Sequence, residues 1–175
     1  KIIFLNSNAN DLYPSFYGKD IYYYNEWGLD VSKIEKIIYC SDREGKFNIY
    51  EVNIPSDSTL INTLKSNQSF ESIKLNINSE ADDKCPFVNG NFLVFTSNRA
   101  GGFGGFDLYY SRYVNGNWSE PVNFGDKINT QYDEYRPITL HYPNFDNNLL
   151  IFSSNRLGGK GGFDLYYCGI EQTIK

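Results

Sequence analysis

FLVFTSNRAGGFGGFDLYY, residues Phe92 to Tyr110, returns almost letter for letter as LIFSSNRLGGKGGFDLYY between Leu150 and Tyr167. A shortened version, IIYCSDREGKFNIY, runs from Ile37 to Tyr50. Each copy is an apolar run rich in β-branched and aromatic residues, followed by Ser-(Asn/Asp)-Arg. A glycine-bearing turn and Phe-(Asp/Asn)-(Leu/Ile)-Tyr complete it. That order of apolar run, turn and apolar run predicts two strands joined by a hairpin loop. Arg43, Arg99 and Arg156 stand 56 and then 57 residues apart, so the chain is built from a repeat.

Composition agrees with strands. There are 15 Tyr, 13 Phe and 2 Trp and no methionine, and aromatic residues suit a half-buried pleated surface. A net charge of −5 argues against nucleic acid as a partner, because that function needs a basic stripe. Neither end has the pattern of a signal peptide, and no apolar run is long enough to cross a bilayer. An excised fragment would share both features, so they leave the compartment open. Cys40, Cys85 and Cys168 make no CxxC or Cys/His pattern. They read as buried small hydrophobes, with one disulfide and one spare thiol as the alternative.

A second element recurs between the hairpins. Asn6 to Pro14, Asn78 to Pro86 and Asn129 to Pro137 share Asn-(Ser/Thr)-x-x-(Asp/Asn)-(Asp/Glu)-x-x-Pro. Asn, Ser and Asp hold turns through side-chain-to-backbone hydrogen bonds, and the proline fixes φ where the next strand is expected. One unit then reads as four strands. Strand a is Ser15–Tyr24, Phe87–Val88 or Ile138–Tyr142, and strand b is Lys36–Cys40, Phe92–Thr96 or Leu149–Ser153. Strand c is Asn48–Asn53, Asp107–Tyr113 or Asp164–Ile170, and strand d is Ser72–Leu75 or Pro121–Phe124. The repeats span about 10–75, 82–124 and 133–175, with a long a–b connection around Trp27 to Ile34 and a polar, exposed c–d connection over Pro55–Ser69. Four antiparallel strands at this period predict an all-β propeller of about three blades in one domain, 1–175. The third unit lacks strand d, and Lys1–Leu5 is expected to supply it. Alternatively the chain is cut between strands c and d of a longer ring. Three blades is below the usual number, which predicts a partial propeller, a ring completed by copies of itself or by other chains, or a larger parent chain.

SNRAGGFGGFDLYY and SNRLGGKGGFDLYY, with the acidic linkers that end in proline, resemble the WD40-like repeat of the TolB-type β-propellers. The version they resemble occurs in the cell envelope of Gram-negative bacteria, where such repeats accompany peptidoglycan-binding domains of the OmpA type. The first copy departs from the pattern: its loop, Glu44-Gly45-Lys46, is three residues shorter, and Asn48 stands for the aspartate. The resemblance implies a noncatalytic protein-interaction scaffold, periplasmic or outer-membrane-associated, with a protein partner in an envelope assembly.

In a four-stranded blade the b–c loops and d-to-a linkers open on one face. Arg99, Arg156, Phe103, Lys160, Asp107, Asp164, Asp133 and Glu134 should therefore share a rim, and they are the candidate binding residues. The arginines are expected to pair with linker carboxylates, for which their planar fork is suited, or else to line an anion site. The paired glycines sit between strands, whereas a phosphate loop would feed a helix N-terminus. They read instead as residues that allow positive φ. Asp107 and Asp164 read as hairpin caps. No DxDxDG run supplies the oxygens that calcium needs, so neither metal nor cofactor is expected. His141 is the only histidine and no Gly-x-Ser-x-Gly elbow occurs, so no catalytic residue is assigned. The alternative function is a carbohydrate-binding or carbohydrate-cleaving propeller, which would need aromatics and two carboxylates about 5–10 Å apart at one mouth.

Overall fold

The computed structural model describes Ile2 and residues 4–18, 34–141 and 146–171. Its strands are β1 (Asp11–Tyr17), β2 (Lys36–Ser41), β3 (Asn48–Asn53), β4 (Ile73–Lys74), β5 (Asp83–Asn89) and β6 (Phe92–Ser97). They continue as β7 (Asp107–Val114), β8 (Asn117–Trp118), β9 (Val122–Asn123), β10 (Glu134–Leu140), β11 (Asn147–Ser154) and β12 (Asp164–Glu171). Helix α1 (Leu60–Lys65) lies between β3 and β4. The first sheet runs β1-β2-β3-β4, the second β5-β6-β7 with β8 and β9 both on β7, and the third β10-β11-β12. All pairings are antiparallel. The repeated hairpin is therefore the central pair of every sheet, closing at Ser41↔Asn48, Ser97↔Asp107 and Ser154↔Asp164.

Side chains alternate between the two faces of a strand, and each face serves a different interface. Ile38, Cys40 and Ile49 of the first sheet meet Leu93, Phe95 and Tyr109 of the second, with Leu75, Ile77, Val88 and Trp118. On the opposite face of the second sheet, Phe92, Val94 and Leu108 meet Leu150, Phe152 and Ile170 of the third. Each such side chain contributes about 1.5–3 kcal/mol when removed from water. β1, β5 and β10 adjoin in turn, so the sheets are stacked in chain order with their a strands together. Among the described residues this is an open, curled array.

Several boundaries differ from expectation. Strand a begins at the linker acids rather than after the proline. β1, β5 and β10 cross Pro14, Pro86 and Pro137 through register shifts between Leu12 and Ser15, Lys84 and Phe87, and Tyr135 and Ile138. The residue before each proline has positive φ: Tyr13 at 55°, Cys85 at 52° and Arg136 at 53°. Proline lacks an N–H, and a bulge is where a strand tolerates that loss. Pairing therefore resumes on the far side. The expected extension of strand a over 19–24 and most of the long a–b connection lie outside the described residues, as does Tyr142.

The connection 55–69 is not simply exposed. It carries α1, whose start is capped by Thr59 Oγ1 accepting from the Asn62 N–H at 3.2 Å. Leu60 and Thr63 are buried. With Phe4 and Leu5, Leu60 covers Ile37, Tyr39, Tyr50 and Val52 of the first sheet, and Leu64 and Phe70 pack alongside. The expected closure of the third sheet by Lys1–Leu5 is not found for Ile2, Phe4 and Leu5, the described residues of that segment. Phe4 and Leu5 form a turn, bury themselves on the first sheet, and Phe4 packs edge-on against Phe70 at 4.8 Å. β12 pairs only with β11 among the described residues.

Candidate functional site

Each b strand ends in the same construction. Arg99 Nε donates to Ser97 Oγ at 3.0 Å, and its Nη2 donates to Asp83 Oδ1 at 2.6 Å and to the Ile77 carbonyl at 3.0 Å. Arg156 repeats this with Ser154 at 3.1 Å, Glu134 at 3.0 Å and the Ile128 carbonyl at 2.8 Å. Arg43 repeats it with Ser41 at 3.0 Å, Asp11 at 2.8 Å and the Leu5 carbonyl at 3.3 Å. Every guanidinium also lies over two rings of its own sheet: Phe95 and Tyr109, Phe152 and Tyr166, Tyr39 and Tyr50. The carboxylates of Asp83 and Glu134 are 0 % exposed. Each arginine thus ties its sheet to the preceding segment of chain. Burial alone would raise the Asp11 carboxyl, but hydrogen bonds from Ser7, Ser41 and Arg43 hold it below the usual range.

Asp107 is buried under the glycine loop, with Oδ2 accepting the Phe103 N–H at 2.7 Å and Oδ1 the Gly104 N–H at 3.0 Å. Asp164 accepts the N–H groups of Lys160 and Gly161 at 2.8 and 3.2 Å. A Cβ at Gly102 or Gly159 would overlap the respective carboxylate, so glycine there makes room for the cap. The Phe103 and Lys160 side chains are exposed at the loop tips. Asp133 accepts the Phe106 N–H at 2.9 Å and also meets Asn155. Asp133 and Glu134 are neighbours with opposite duties: the first holds the preceding hairpin, the second its own arginine.

One feature of the rim was not legible beforehand. Phe106, Asp133, Tyr135, Arg136, Ser153 and Phe163 line a cleft between the second and third sheets. Tyr135 packs on Phe106 at 5.3 Å and on Phe163 at 6.4 Å. Arg136 donates to Tyr13 Oη at 3.0 Å and covers its ring. Lys84 ion-pairs with Asp82 at 3.0 Å beside Phe47 and Phe106. Burial, with Cys85 and Tyr13 beside it, pushes the Tyr135 phenol up. The available signals were the phenylalanine before every strand c and the residue before every linker proline.

Among the described residues Asp133 is the only carboxylate lining that cleft, and a glycosidase needs a pair. Among the described residues no three His, Cys, Asp or Glu side chains are grouped to hold a metal, and no helix is long and apolar enough to cross a membrane. Cys40 and Cys85 are buried free thiols and Cys168 is a half-buried one. Burial pushes Cys40 up to about 11 and Cys85 to about 12.

No family model matches the chain, and no curated protein matches it. Among solved structures it is similar to one assigned as a TolB protein from Agrobacterium tumefaciens, at 20% sequence identity and a TM-score of 0.44. The match covers 69% of this chain and 34% of that one. The chain therefore spans about a third of that protein's length, and the likeness is a distant one of fold.

Proposed function

We propose that the protein is a noncatalytic interaction module, a propeller-type scaffold of the bacterial envelope that works in the periplasm or at the outer membrane and holds a protein partner. One observation carries this reading. The charges repeated in each unit are spent inside the scaffold, whereas large apolar side chains remain on its surface. Leu157, Leu165 and Tyr167 are 81%, 77% and 79% exposed, with Phe103, Ile138 and Phe163 about half exposed. Leu165 and Tyr167 share one face of β12, and apolar side chains grouped on an exposed face mark an interaction site.

The test is affinity capture from a Gram-negative envelope extract. The intact chain should retain a defined protein, and a Phe103→Ser, Leu157→Ser double variant should release most of it. Equal retention by both would remove the reading. The aromatic cleft of Phe106, Tyr135 and Phe163 with Arg136 and Asp133 favours a second reading, carbohydrate binding. Retention on a broad glycan panel that falls with Tyr135→Ala would establish it in place of the first.

A further inference from the structure

The second repeat shows what a finished unit does with the outer edge of its strand c. Asn129 reaches back from the linker to β7, where its Oδ1 accepts the Leu108 N–H at 2.8 Å and its Nδ2 donates to the Leu108 carbonyl at 2.9 Å. Asn78 does the same to Ile49 of β3, at 2.6 and 2.8 Å. Nearer the loop, Asp133 accepts the Phe106 N–H at 2.9 Å while the Glu134 N–H donates to the Phe106 carbonyl at 2.7 Å. Asp82 and Asp83 treat Phe47 alike, at 2.9 and 2.8 Å. Beside these clamps a two-residue strand, β4 or β9, pairs with the same edge.

The matching groups at the third sheet are the N–H and C=O of Phe163 and Leu165, and nothing among the described residues takes them. The glycines say the same independently. A Cβ at Gly104 would overlap the Tyr132 and Thr130 carbonyls, and one at Gly105 would overlap Asp133, because the next linker lies against them. Gly161 and Gly162 carry the same letters, with only open space or a distant Phe163 carbonyl where that linker would be. The sheet face beside this edge is also uncovered: Leu165 and Tyr167 stand where Leu108 and Tyr110 pack against the third sheet.

We propose that the outer edge and face of the third sheet accept a strand-and-linker segment of this repeat that lies outside residues 1–175. That segment is a short extended run followed by Asn-(Ser/Thr)-x-x-(Asp/Asn)-(Asp/Glu). Main-chain bonds along the edge give affinity, as in strand addition. The Asn amide and the acid, four residues apart, set the register. A second copy of this chain is not the donor. Its Asn6 amide is turned to its own Ile2 carbonyl at 2.6 Å. The sheet face that would lie against the third sheet is already covered by Phe4, Leu5 and α1. The proposal deepens the scaffold reading by naming a surface and a partner class, and rests on it only in taking the partner to be a polypeptide.

The test uses the intact chain and a synthetic peptide of residues 119–135, which contains β9 and the linker from Asn129 through Glu134. Amide exchange is followed by NMR. The peptide should slow exchange at the Leu165 and Phe163 N–H groups at least about tenfold, and the Asn129→Ala, Asp133→Ala peptide should lose that protection. In the protein, Leu165→Pro removes one outward-facing donor from an edge strand, where proline is tolerated, and should weaken binding about tenfold or more. Should that variant misfold, the altered peptide on the unaltered protein decides alone. No protection up to about 1 mM peptide, or protection indifferent to the Asn129 and Asp133 changes, overturns the proposal. So does self-association of the chain that protects Leu165 without peptide. Failure here leaves capture of an envelope partner by the rim unaffected, so the two readings fail separately.

Discussion

Arg99 sits between three acceptors and two rings that all belong to the scaffold, so its loss is a stability event. Arg99→Ala leaves the Asp83 carboxylate, which is 0 % exposed, without its counter-charge and held, among the described residues, only by Ser79, and should cost about 3 kcal/mol in denaturant unfolding. Arg99→Lys should recover only part of that, since an ammonium cannot reach Ser97, Asp83 and the Ile77 carbonyl with one planar fork. Asp11 gives the pH dependence. Its carboxyl is held below its ordinary value in the folded state, so its contribution is present above the unfolded pKa, near about pH 4. It is lost as pH falls through the lower folded value. Acid melts of Asp11→Asn should therefore lose part of the steep decline below about pH 4. Cys85, pushed up to about 12 by burial, should resist alkylation at about pH 8 until the protein is unfolded, as read by mass spectrometry. The arginine–acid pairing was readable in the sequence because it recurs. Which of two adjacent acids takes the arginine was not readable, because neighbouring residues on a strand point to opposite sides.

The hairpin with its glycine loop and the linker that follows it behave as one element. Gly104→Ala should cost about 2 kcal/mol, because the Tyr132 and Thr130 carbonyls occupy the space a methyl needs. Gly161→Ala, at the matching position, should change thermal stability by less than about 0.5 kcal/mol in the isolated chain. Equal effects would mean that the glycines serve the loop alone and not the linker. The central hairpins were legible from their alternating apolar residues and their loops. The linker was legible as a turn but not as the start of a strand. Proline signals a break, and only the positive φ of the residue before it, set by pairing on both sides, lets the strand continue. Helix α1 was hidden for a different reason. Its six residues bury little beyond Leu60 and Thr63, too few to give a period against a polar background.

At the scale of the molecule, three sheets are stacked in order, each offering one face backward and one forward. Tyr110 of the second sheet packs between Phe92 and Phe124, whereas its counterpart Tyr167 is 79% exposed. Tyr110→Lys should lower the melting temperature markedly, and Tyr167→Lys should leave it nearly unchanged while making the protein more soluble. If both variants melt alike, the third sheet's outer face is already covered in solution. By itself the sequence determined the hairpins, their threefold recurrence and the all-β class, because strand alternation and turn residues act over a few neighbours. Tertiary structure alone decided what each face meets. Leu108 and Leu165 sit in the same five letters, FDLYY, yet one is 0% and the other 77% exposed. Period-two alternation makes two apolar faces on every strand, and only the stacking of sheets far apart in the chain chooses which of them is buried.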